Sequence, residues 1–600
     1  MNNDAALLYK NRLNALRKEI KAAALDGFFV PMADAYLNEY VPPSERRIEF
    51  LSGFTGSAAF IIVLADSALF FTDSRYTLQA QDEVPTSLFI QFDTAKMDPT
   101  KWLLHNVSKT TLIGFDPRFH STYQIESMRK KLESSPVSLR VLNKNPVDEI
   151  WTSRPAPLTA PIVAHDQRYT GQNSTDKRKE LAKKLCTGKN DATLITDPAS
   201  IAWLFNIRGG DVPDTPLPLS RAILYKDGTA SWFVDPAKPT KDLSAFLGPE
   251  ITVFNETDFT DSLQELGEKK SSVLLDPRHT PYIYTDCLLQ AGGNVTRGDD
   301  LCALPRACKN KTEIEAMQNA HRRDGAALVK LLAWLDDQLQ HNQPLTELDV
   351  VSQLETFRAQ GSLHKGPSFP TIAASGPNGA IVHYRPTEQS NRPIDRDSFL
   401  LLDSGAQYLD GTTDVTRTIP TGKLTSEMKD RYTRVLKGHI ALTSIRFPAD
   451  TSGADLDVLA RQYLWQIGED YGHGTGHGVG AYLSVHEGPQ AISRHAPTAL
   501  REGMVLSNEP GFYKAGRYGI RHENLQYVTA LPEISGDEQK MFGFMPLTLV
   551  PFDRRGLIIE MLETAEKEWL NAYHARVVKA LMPQLDGLAK TWLEEMTKEI

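Results

Sequence analysis

The stretch LLLDSGAQYLDGTTDVTRT, residues 400–418, decides the fold of the last third of this chain. Asp403 ends an apolar run with the composition of a buried strand, and Asp414 opens a second strand-like run, TDVTRTI. Residues 409–411 between them predict a tight turn, with Gly411 at a positive φ or in a bulge. The two carboxylates are therefore expected close together on paired strands.

This pair of aspartates has two interpretations. Two surface carboxylates that flank a turn would give the same pattern. However, Asp403 follows three leucines, and an unpaired carboxylate in an apolar setting is costly. A buried carboxylate pair is typical of a divalent-cation site, because carboxylate oxygens can bridge two metals and cancel most of their charge.

Three further segments supply one imidazole and two more carboxylates. His477 lies in GHGTGHGVG, where interleaved glycines disfavour a helix and favour a loop whose backbone approaches another group closely. Glu509 precedes a proline in SNEPG, which places it at a turn or at a strand end. Glu523 follows Arg521 by two residues in GIRHENL, a spacing that puts both side chains on one face of a strand. Each residue alone is more often structural or solvated, but together with the two aspartates they predict a two-metal hydrolytic centre.

The composition limits the class of protein. Six hundred residues exceed one hydrophobic core and indicate about three domains. The net charge of -9 gives no basic footprint, so we expect no nucleic-acid partner. No apolar run approaches a membrane span, and the N-terminal segment has the pattern of an amphipathic helix rather than of a signal peptide. The four cysteines lack paired zinc spacing, so we expect reduced thiols in a cytoplasmic protein without membrane association.

The first half of the chain repeats one plan. DGFFV, RIEFLSGFTG, AAFIIV and ALFFTD in residues 26–73 correspond to DATLI, IAWLFNIRGGD, SRAILY and ASWFVD in residues 191–235. The segment WTSRPAPLTAPIVAH between the two copies is rich in proline and predicts a linker. We therefore predict two α/β domains from a duplicated unit, residues 1–165 and residues 166–308.

A third domain, residues 309–600, is predicted to begin with a long helix. Thr312 and Glu315 have the spacing of a capping box, and apolar residues follow at helical spacing as far as Leu335. Strand-like runs such as SFLLLD, TDVTRTI and NLQYVTAL then alternate with helical segments. This order is typical of an α+β domain with an antiparallel component.

These motifs resemble the pita-bread metallopeptidases, a family that includes methionine aminopeptidases, prolidases and Xaa-Pro aminopeptidases. The similarity is strongest to the long, three-domain Xaa-Pro aminopeptidases, in SFPTIAASGPNGAIVHYRP, GHGTGHGVGAYLSVHEGP and EPGFYKAGRYGIRHEN. It extends upstream to NEYVPPSERRIEFLSGFTGSA, TDSRYTLQA and IAWLFNIRGGD, and downstream to PLTLVPFDRRG and EWLNAYH. The resemblance implies two creatinase-N-like α/β domains followed by a C-terminal pita-bread catalytic domain with a C-terminal extension.

The resemblance also implies a role for each acidic residue and for one histidine. The family's metal ligands match, in order and context, Asp403, Asp414, His477, Glu509 and Glu523. Asp414 and Glu523 would bridge two divalent cations, and His477 would be the only nitrogen ligand. Glu509 would also shuttle a proton from the attacking water to the leaving proline nitrogen.

Four further residues resemble the family's groups around the metals. His486 would donate a hydrogen bond to the substrate carbonyl, and His383 would position the substrate. His473 would shape the pocket for the proline side. Arg521 would hold Glu523 from outside the ligand set, as such groups orient metal ligands.

The implied activity is an aminopeptidase that releases the N-terminal residue from peptides with proline second, by attack of a metal-bridging hydroxide. Manganese is the expected cation because an oxygen-rich site with one imidazole suits it, although cobalt, zinc or iron would fit nearly as well. The resemblance further implies a homodimer. Two alternatives stay open: a prolidase that cleaves only Xaa-Pro dipeptides, and a pita-bread module that binds peptides without catalysis.

Overall fold

The computed structural model describes residues 3–532 and 539–600. The chain forms two compact units: one comprises Met1–Gln167 with Gln172–Ala303, and the other comprises Arg168–Gly171 with Leu304–Ile600. Within the described ranges, no helix is long and apolar enough to cross a membrane.

Two mixed sheets form the first unit. The first sheet has the strand order Ile90–Asp93, Ala68–Thr72, Ala59–Leu64, Gly27–Pro31, Thr111–Phe115 and Val137–Val141. The second has the order Ile251–Asn255, Ala230–Val234, Arg221–Tyr225, Ala192–Ile195, Ser272–Leu275 and Asn294–Arg297. In each sheet the second, third and fourth strands pair antiparallel, and the outer pairings are parallel. The shared order and pairing confirm the predicted duplication of one α/β unit.

Helices cover both faces of the first sheet, which explains why its central strands Gly27–Pro31 and Ala59–Leu64 are apolar at every position. Phe28 packs in a core with the helix Asn3–Ala22, whereas the next residue, Phe29, packs in another core with the helix Thr122–Leu132. A strand buried on both faces has no polar alternation. The other principal helices of this unit are Arg47–Ser52, Thr77–Glu83, Pro99–Asn106, Pro146–Ile150, Ser174–Thr187, Pro198–Phe205, Leu243–Leu247, Phe259–Glu268 and Tyr282–Gln290.

The second unit is built on antiparallel sheets. A three-stranded sheet has the order Ile372–Ser375, Phe399–Ser404 and Val415–Pro420. A six-stranded sheet has the order Phe447–Pro448, Met541–Pro546, Asn524–Ala530, Val505–Asn508, Gly476–Gly478 and Glu487–Ile492. The principal helices are Lys311–Gln340, Glu347–Ala359, Ser426–Thr443, Gly453–Trp465, Thr564–Leu581 and Gly587–Met596. The predicted α+β organisation with antiparallel strands is confirmed.

The long helix is present, but its predicted N-terminal cap is wrong. Asn310 is the N-cap residue: its side chain accepts a hydrogen bond from the Glu313 amide, and the Glu313 carboxylate accepts one from the Asn310 amide. The capping box proposed for Thr312 and Glu315 therefore lies two residues too late. Asparagine caps a helix at least as well as threonine, so sequence alone did not separate the two registers.

The predicted turn is present, but the reason given for its glycine is wrong. Residues 409–410 form the turn of a short hairpin in which Gly411 pairs with Tyr408. Gly411 has neither a positive φ nor a bulge. Instead, an added Cβ would lie 3.1 Å from the backbone of Met317 on the long helix, so close packing against that helix favours glycine here.

Candidate metal centre

Asp403 and Asp414 lie next to each other at one end of the three-stranded sheet. Asp403 is on the strand Phe399–Ser404, opposite Thr416, and Asp414 directly precedes the strand Val415–Pro420. Both aspartates are buried. The expectation that the two carboxylates occupy paired strands agrees with this register, and the alternative of two surface aspartates is excluded.

The larger sheet supplies the imidazole and the two glutamates. His477 is on the short strand Gly476–Gly478, Glu509 directly follows the strand Val505–Asn508, and Glu523 directly precedes the strand Asn524–Ala530. The three strands are neighbours in the sheet, so their side chains converge.

The glycines beside His477 permit this convergence. A Cβ on Gly476 would overlap the carbonyl oxygen of Ser507, and a Cβ on Gly478 would overlap the carbonyl oxygen of Glu487. The close backbone approach predicted from the glycine-rich segment therefore occurs at these two positions.

The converging side chains are within reach of a common cation. The His477 Nε2 atom lies 3.4 Å from Asp414 Oδ2 and 3.6 Å from Glu509 Oε1. Within the described part of the chain, one ligand atom each from Asp414, His477 and Glu523 lies within 4.8 Å of the other two. A single divalent ion would contact all three at ordinary coordination distances.

Arg521 and Thr416 link Asp403 to Glu523. Arg521 Nη2 donates to Asp403 Oδ2 at 2.5 Å, and the same guanidinium donates through Nε to the Thr416 hydroxyl at 3.2 Å. The Thr416 hydroxyl donates to Glu523 Oε2 at 2.7 Å. Glu523 lies beyond the strand of Arg521, so the two residues do not share a strand as their spacing predicted, but both side chains contact Thr416.

The protein interior disfavours the ionised forms of these carboxylates. Burial raises the pKa of Asp403 and Glu523, and the charge of Asp414 raises both further, against the opposing effect of Arg521 on Asp403. Burial likewise raises the pKa of Glu509 to about 7, although His477 and Arg521 oppose the rise. Burial opposes protonation of His477, but Asp414 and Glu509 outweigh it and raise the pKa of His477 to about 9. The site is short of positive charge.

A divalent cation fits this donor set. Asp403 Oδ1 is buried and has no hydrogen-bond partner in the protein, which is costly unless another group satisfies it. Carboxylate oxygens with one imidazole are the ligands of hard or borderline cations. A cation at this position would also favour the ionised forms of the carboxylates and so offset the effect of their burial.

Two of the predicted outer histidines are connected to the centre, one directly and one through other side chains. The His486 ring contacts the His477 ring edge-to-face, with centroids 4.3 Å apart. His473 Nε2 lies 2.8 Å from the Tyr513 hydroxyl, which also accepts a hydrogen bond from Arg521 Nη1 at 2.8 Å. His473 is therefore linked to Asp403 through Tyr513 and Arg521.

The third outer histidine, His383, is half-buried and adjoins a residue that Arg521 contacts. Arg521 Nη1 donates to the carbonyl oxygen of Val382 at 3.3 Å. This contact brings the chain around His383 to the edge of the centre.

Tyr513 and Thr416 were not identified from the sequence. Tyr513 is two residues from Gly511, which pairs with Arg521 in the hairpin of strands Gly511–Lys514 and Tyr518–Arg521. This alternation is the local signal that places Tyr513 on the side of Arg521. Thr416 offers a comparable signal, because it lies two residues after Asp414 on a strand.

His522, whose effect the sequence left open, belongs to the core rather than to the centre. It is fully buried, and its ring packs edge-to-face on Tyr432 with centroids 4.3 Å apart. Burial lowers its pKa well below the usual range, and Arg417 acts in the same direction, so the ring is neutral.

Comparison with known proteins places this architecture in a family. Models of the creatinase/prolidase N-terminal domain match residues 12–143 and 153–313, that of metallopeptidase family M24 matches residues 315–530, and that of the C-terminal region of peptidase M24 matches residues 540–600. Xaa-Pro aminopeptidase 1 of Dictyostelium discoideum is 35% identical, over 100% of this chain and 98% of that protein. The chain belongs to metallopeptidase family M24.

Other members of the family are similar over their whole length. A probable Xaa-Pro aminopeptidase P from Sordaria macrospora is 38% identical, over 97% of this chain and 98% of that protein. The crystal structure of an X-prolyl aminopeptidase from Caenorhabditis elegans, described as a cytosolic enzyme with a di-nuclear active site, matches with a TM-score of 0.94 at 34% identity. The match covers 99% of this chain and 100% of the worm chain. These matches confirm the resemblance and the fold class predicted from the sequence.

Proposed function

We propose that this M24 peptidase is a metal-dependent aminopeptidase that releases the N-terminal residue from peptides with proline at the second position. The observation that carries the proposal is the convergence of Asp414, His477 and Glu523 within 4.8 Å, in a chain similar over its whole length to Xaa-Pro aminopeptidases. The bond before proline is a tertiary amide with a fixed φ on its C-terminal side, which sets it apart from ordinary peptide bonds.

The proposed ligands are Asp403, Asp414, His477, Glu509 and Glu523, with Asp414 and Glu523 shared between two cations. When bound, two divalent cations lower the pKa of a water molecule and polarise the scissile carbonyl. Four ionised carboxylates and a neutral imidazole balance the charge of two such ions. Arg521 holds Asp403 through its guanidinium and so limits the orientations of that carboxylate.

Glu509 is the proposed proton carrier. Its carboxyl group titrates near neutrality in the metal-free site, and the Ser507 hydroxyl donates to its Oε1 at 3.2 Å. A carboxylate at the edge of the ligand set can accept a proton from the attacking water and deliver it to the proline nitrogen. That delivery is needed because a proline nitrogen must be protonated to leave.

The outer histidines are proposed to bind the substrate. His486 lies against His477 and would donate to the carbonyl of the first residue, and His383 would position the same residue. His473, held by the Tyr513 hydroxyl, would form the wall on the proline side. These roles predict that variants of the three histidines change KM and kcat without loss of bound metal.

Manganese is the proposed native cation, because one imidazole among carboxylates suits it, with cobalt, zinc or iron as alternatives of similar ligand preference. Elemental analysis of purified protein distinguishes them.

We further propose three domains, at residues 1–165, 166–308 and 309–600, and a homodimer. Sedimentation would measure the mass of the homodimer. Four cysteines without a disulfide bond and the cytosolic relative from the worm support a cytoplasmic location.

Two other functions make different predictions. A prolidase would cleave Xaa-Pro dipeptides and not longer peptides, whereas the duplicated N-terminal unit and the full-length similarity to Xaa-Pro aminopeptidases favour longer substrates. A pita-bread module without catalysis would not need the ligand set that this chain retains.

Activity assays on the metal-stripped and reloaded protein test the proposal. Chelation is expected to abolish release of the first residue from an Xaa-Pro-Xaa tripeptide, and added Mn²⁺ is expected to restore it. The tripeptide should be cleaved faster than the matching Xaa-Pro dipeptide. Full activity of the chelated protein would exclude the metallopeptidase mechanism, and dipeptide-only turnover would favour the prolidase.

A pair of substitutions in one hairpin gives a matched control. Asp414→Asn removes a proposed bridging ligand and is expected to abolish metal-restored activity. Asp410→Asn makes the same chemical change four residues away, where the carboxylate pairs with Arg323 instead. Activity in Asp414→Asn equal to that of Asp410→Asn would refute the assignment.

A further inference from the structure

Asp324 and Arg358 form a buried ion pair that contains none of the proposed ligands. Asp324 is on the helix Lys311–Gln340, and Arg358 is on the helix Glu347–Ala359. Arg358 donates to Asp324 through Nε at 2.8 Å and through Nη2 at 3.3 Å. Arg358 is 0% exposed and Asp324 is 2% exposed, so both charges are held away from water.

Each member of this pair contacts one end of the segment that joins the two proposed aspartate ligands. At the first end, Arg358 Nη2 donates to the hydroxyl of Ser404, and Nη1 donates to the carbonyl of Gly405, both at 3.1 Å. At the second end, the Thr413 hydroxyl donates to Asp324 Oδ2 at 2.9 Å. Ser404 directly follows Asp403, and Thr413 directly precedes Asp414.

The same two ends also contact each other. The Thr413 amide donates to the Ala406 carbonyl at 2.9 Å, and the Ala406 amide lies 3.0 Å from the Thr413 hydroxyl oxygen, which accepts its hydrogen bond. A Cβ on Gly405 would overlap the carbonyl oxygen of Thr413. The two ends of this segment are therefore in direct contact, and the ion pair contacts them from the two helices.

A buried ion pair is weak evidence of stabilisation, because desolvation of two charges offsets much of their attraction and apolar replacements are often as stable. Its best-attested use is to fix one arrangement among several. Here each charged group contacts a residue next to a proposed ligand, Ser404 beside Asp403 and Thr413 beside Asp414, and Asp324 also accepts a hydrogen bond from Tyr408.

We infer that the Asp324–Arg358 pair is a positioning device that sets the separation of Asp403 and Asp414 and thereby the affinity of the centre for divalent cations. The inference rests on the proposed function for the identity of the ligands. Loss of the pair would leave the two carboxylates free to move apart, and metal ligands without such support typically bind more weakly by about 10- to 100-fold.

Two single substitutions test the effect. Thr413→Val and Tyr408→Phe each remove one hydroxyl that donates to the Asp324 carboxylate, at 2.9 Å and 3.1 Å respectively, and Thr413→Val also removes the acceptor of the Ala406 amide. Only Thr413 adjoins a proposed ligand, whereas Tyr408 lies at the far end of the hairpin. Titration of the metal-free proteins with Mn²⁺, followed by the free-ion electron spin resonance signal, measures affinity directly.

Thr413→Val is expected to weaken Mn²⁺ binding by about tenfold, with Tyr408→Phe unchanged. Equal affinities of Thr413→Val and the unaltered protein would overturn the inference, as would an equal loss in Tyr408→Phe. If the unaltered protein itself binds no Mn²⁺, the proposed function fails instead, so the two failures are distinguishable.

A double substitution separates positioning from stability. Asp324→Leu with Arg358→Met removes both charges and is expected to retain the unfolding temperature of the metal-free protein within a few degrees while weakening Mn²⁺ binding. Lys437→Met breaks another buried ion pair of this unit, the one between Lys437 and Glu566. Lys437 is in contact with none of the segments that carry the proposed ligands. This variant is expected to lower the unfolding temperature without changing Mn²⁺ affinity. The reverse pattern in the two variants would show that Asp324 and Arg358 are merely structural.

Discussion

Removal of divalent cations should make the stability of this peptidase fall as pH rises through neutrality. The cause is the burial of Asp403, Glu509 and Glu523, which raises the pKa of each carboxyl group, with neighbouring carboxylates adding to the rise. A buried carboxyl with a raised pKa favours the protonated form in the folded state. Its contribution to stability is therefore complete below the unfolded pKa and is lost as pH rises through the folded pKa.

The pKa shift of Glu509 gives the size of the expected loss of stability. The pKa of Glu509 rises from 4.5 to about 7, and the side chain is only 18% exposed. A shift of this size corresponds to about 3 kcal/mol, most of which disappears between about pH 5 and pH 8. His477 extends the same trend, because its pKa rises from 6.5 to about 9 and the stabilisation by its charged form is lost through that range.

Urea unfolding of the chelated protein at pH 5 and at pH 8 measures the effect. Other carboxylates titrate in the same range, so the decisive quantity is the difference between the unaltered protein and Glu509→Gln, which cannot ionise. The unaltered protein should lose about 2 to 3 kcal/mol more than the variant over this interval. Added Mn²⁺ should reverse the trend, because metals bind the deprotonated ligands.

An equal pH dependence in Glu509→Gln and in the unaltered protein would refute the reasoning. So would a chelated protein whose stability, relative to the variant, increases from pH 5 to pH 8. Either result would mean that the carboxylates are more hydrated than their burial indicates.

Two further substitutions test contacts around the centre. Arg521→Met leaves the buried Asp403 without its guanidinium partner, and urea unfolding of the metal-free protein should show a loss of about 3 to 5 kcal/mol. Gly476→Ala places a methyl group on the carbonyl of Ser507 and should cost about 1 to 3 kcal/mol in the same assay. Gly474→Ala is the matched control, because its Cβ would meet other atoms only from 3.4 Å outward, and it should leave the unfolding midpoint unchanged.

The sequence predicted the paired strands well where the signal was local. Asp403 after three leucines and Asp414 before an alternating run indicated two paired strands, and the structure has that pairing. The duplicated sheets were also visible in the sequence, because strands buried on both faces are apolar throughout and repeat in the same order.

The prediction failed where the cause lay in a partner far along the chain. Gly411 was assigned to a turn conformation, whereas the structure favours glycine there because of the backbone of Met317, nearly a hundred residues earlier. Arg358 is likewise defined by remote contacts that no spacing in the sequence indicates. Asp324 did offer a signal, because it interrupts the apolar stripe that includes Leu328 at helical spacing, and a charge there needs a buried partner.

The order of the strands along the chain has a consequence for synthesis. The two sheets of the first unit draw on residues 27–141 and 192–297 without interleaving, so each can form as its segment leaves the ribosome. The candidate centre instead needs residues from Asp403 to Glu523, and it stays incomplete until most of the chain has been made. A nascent chain of this protein is therefore expected to be folded at its N-terminal end long before it is a peptidase.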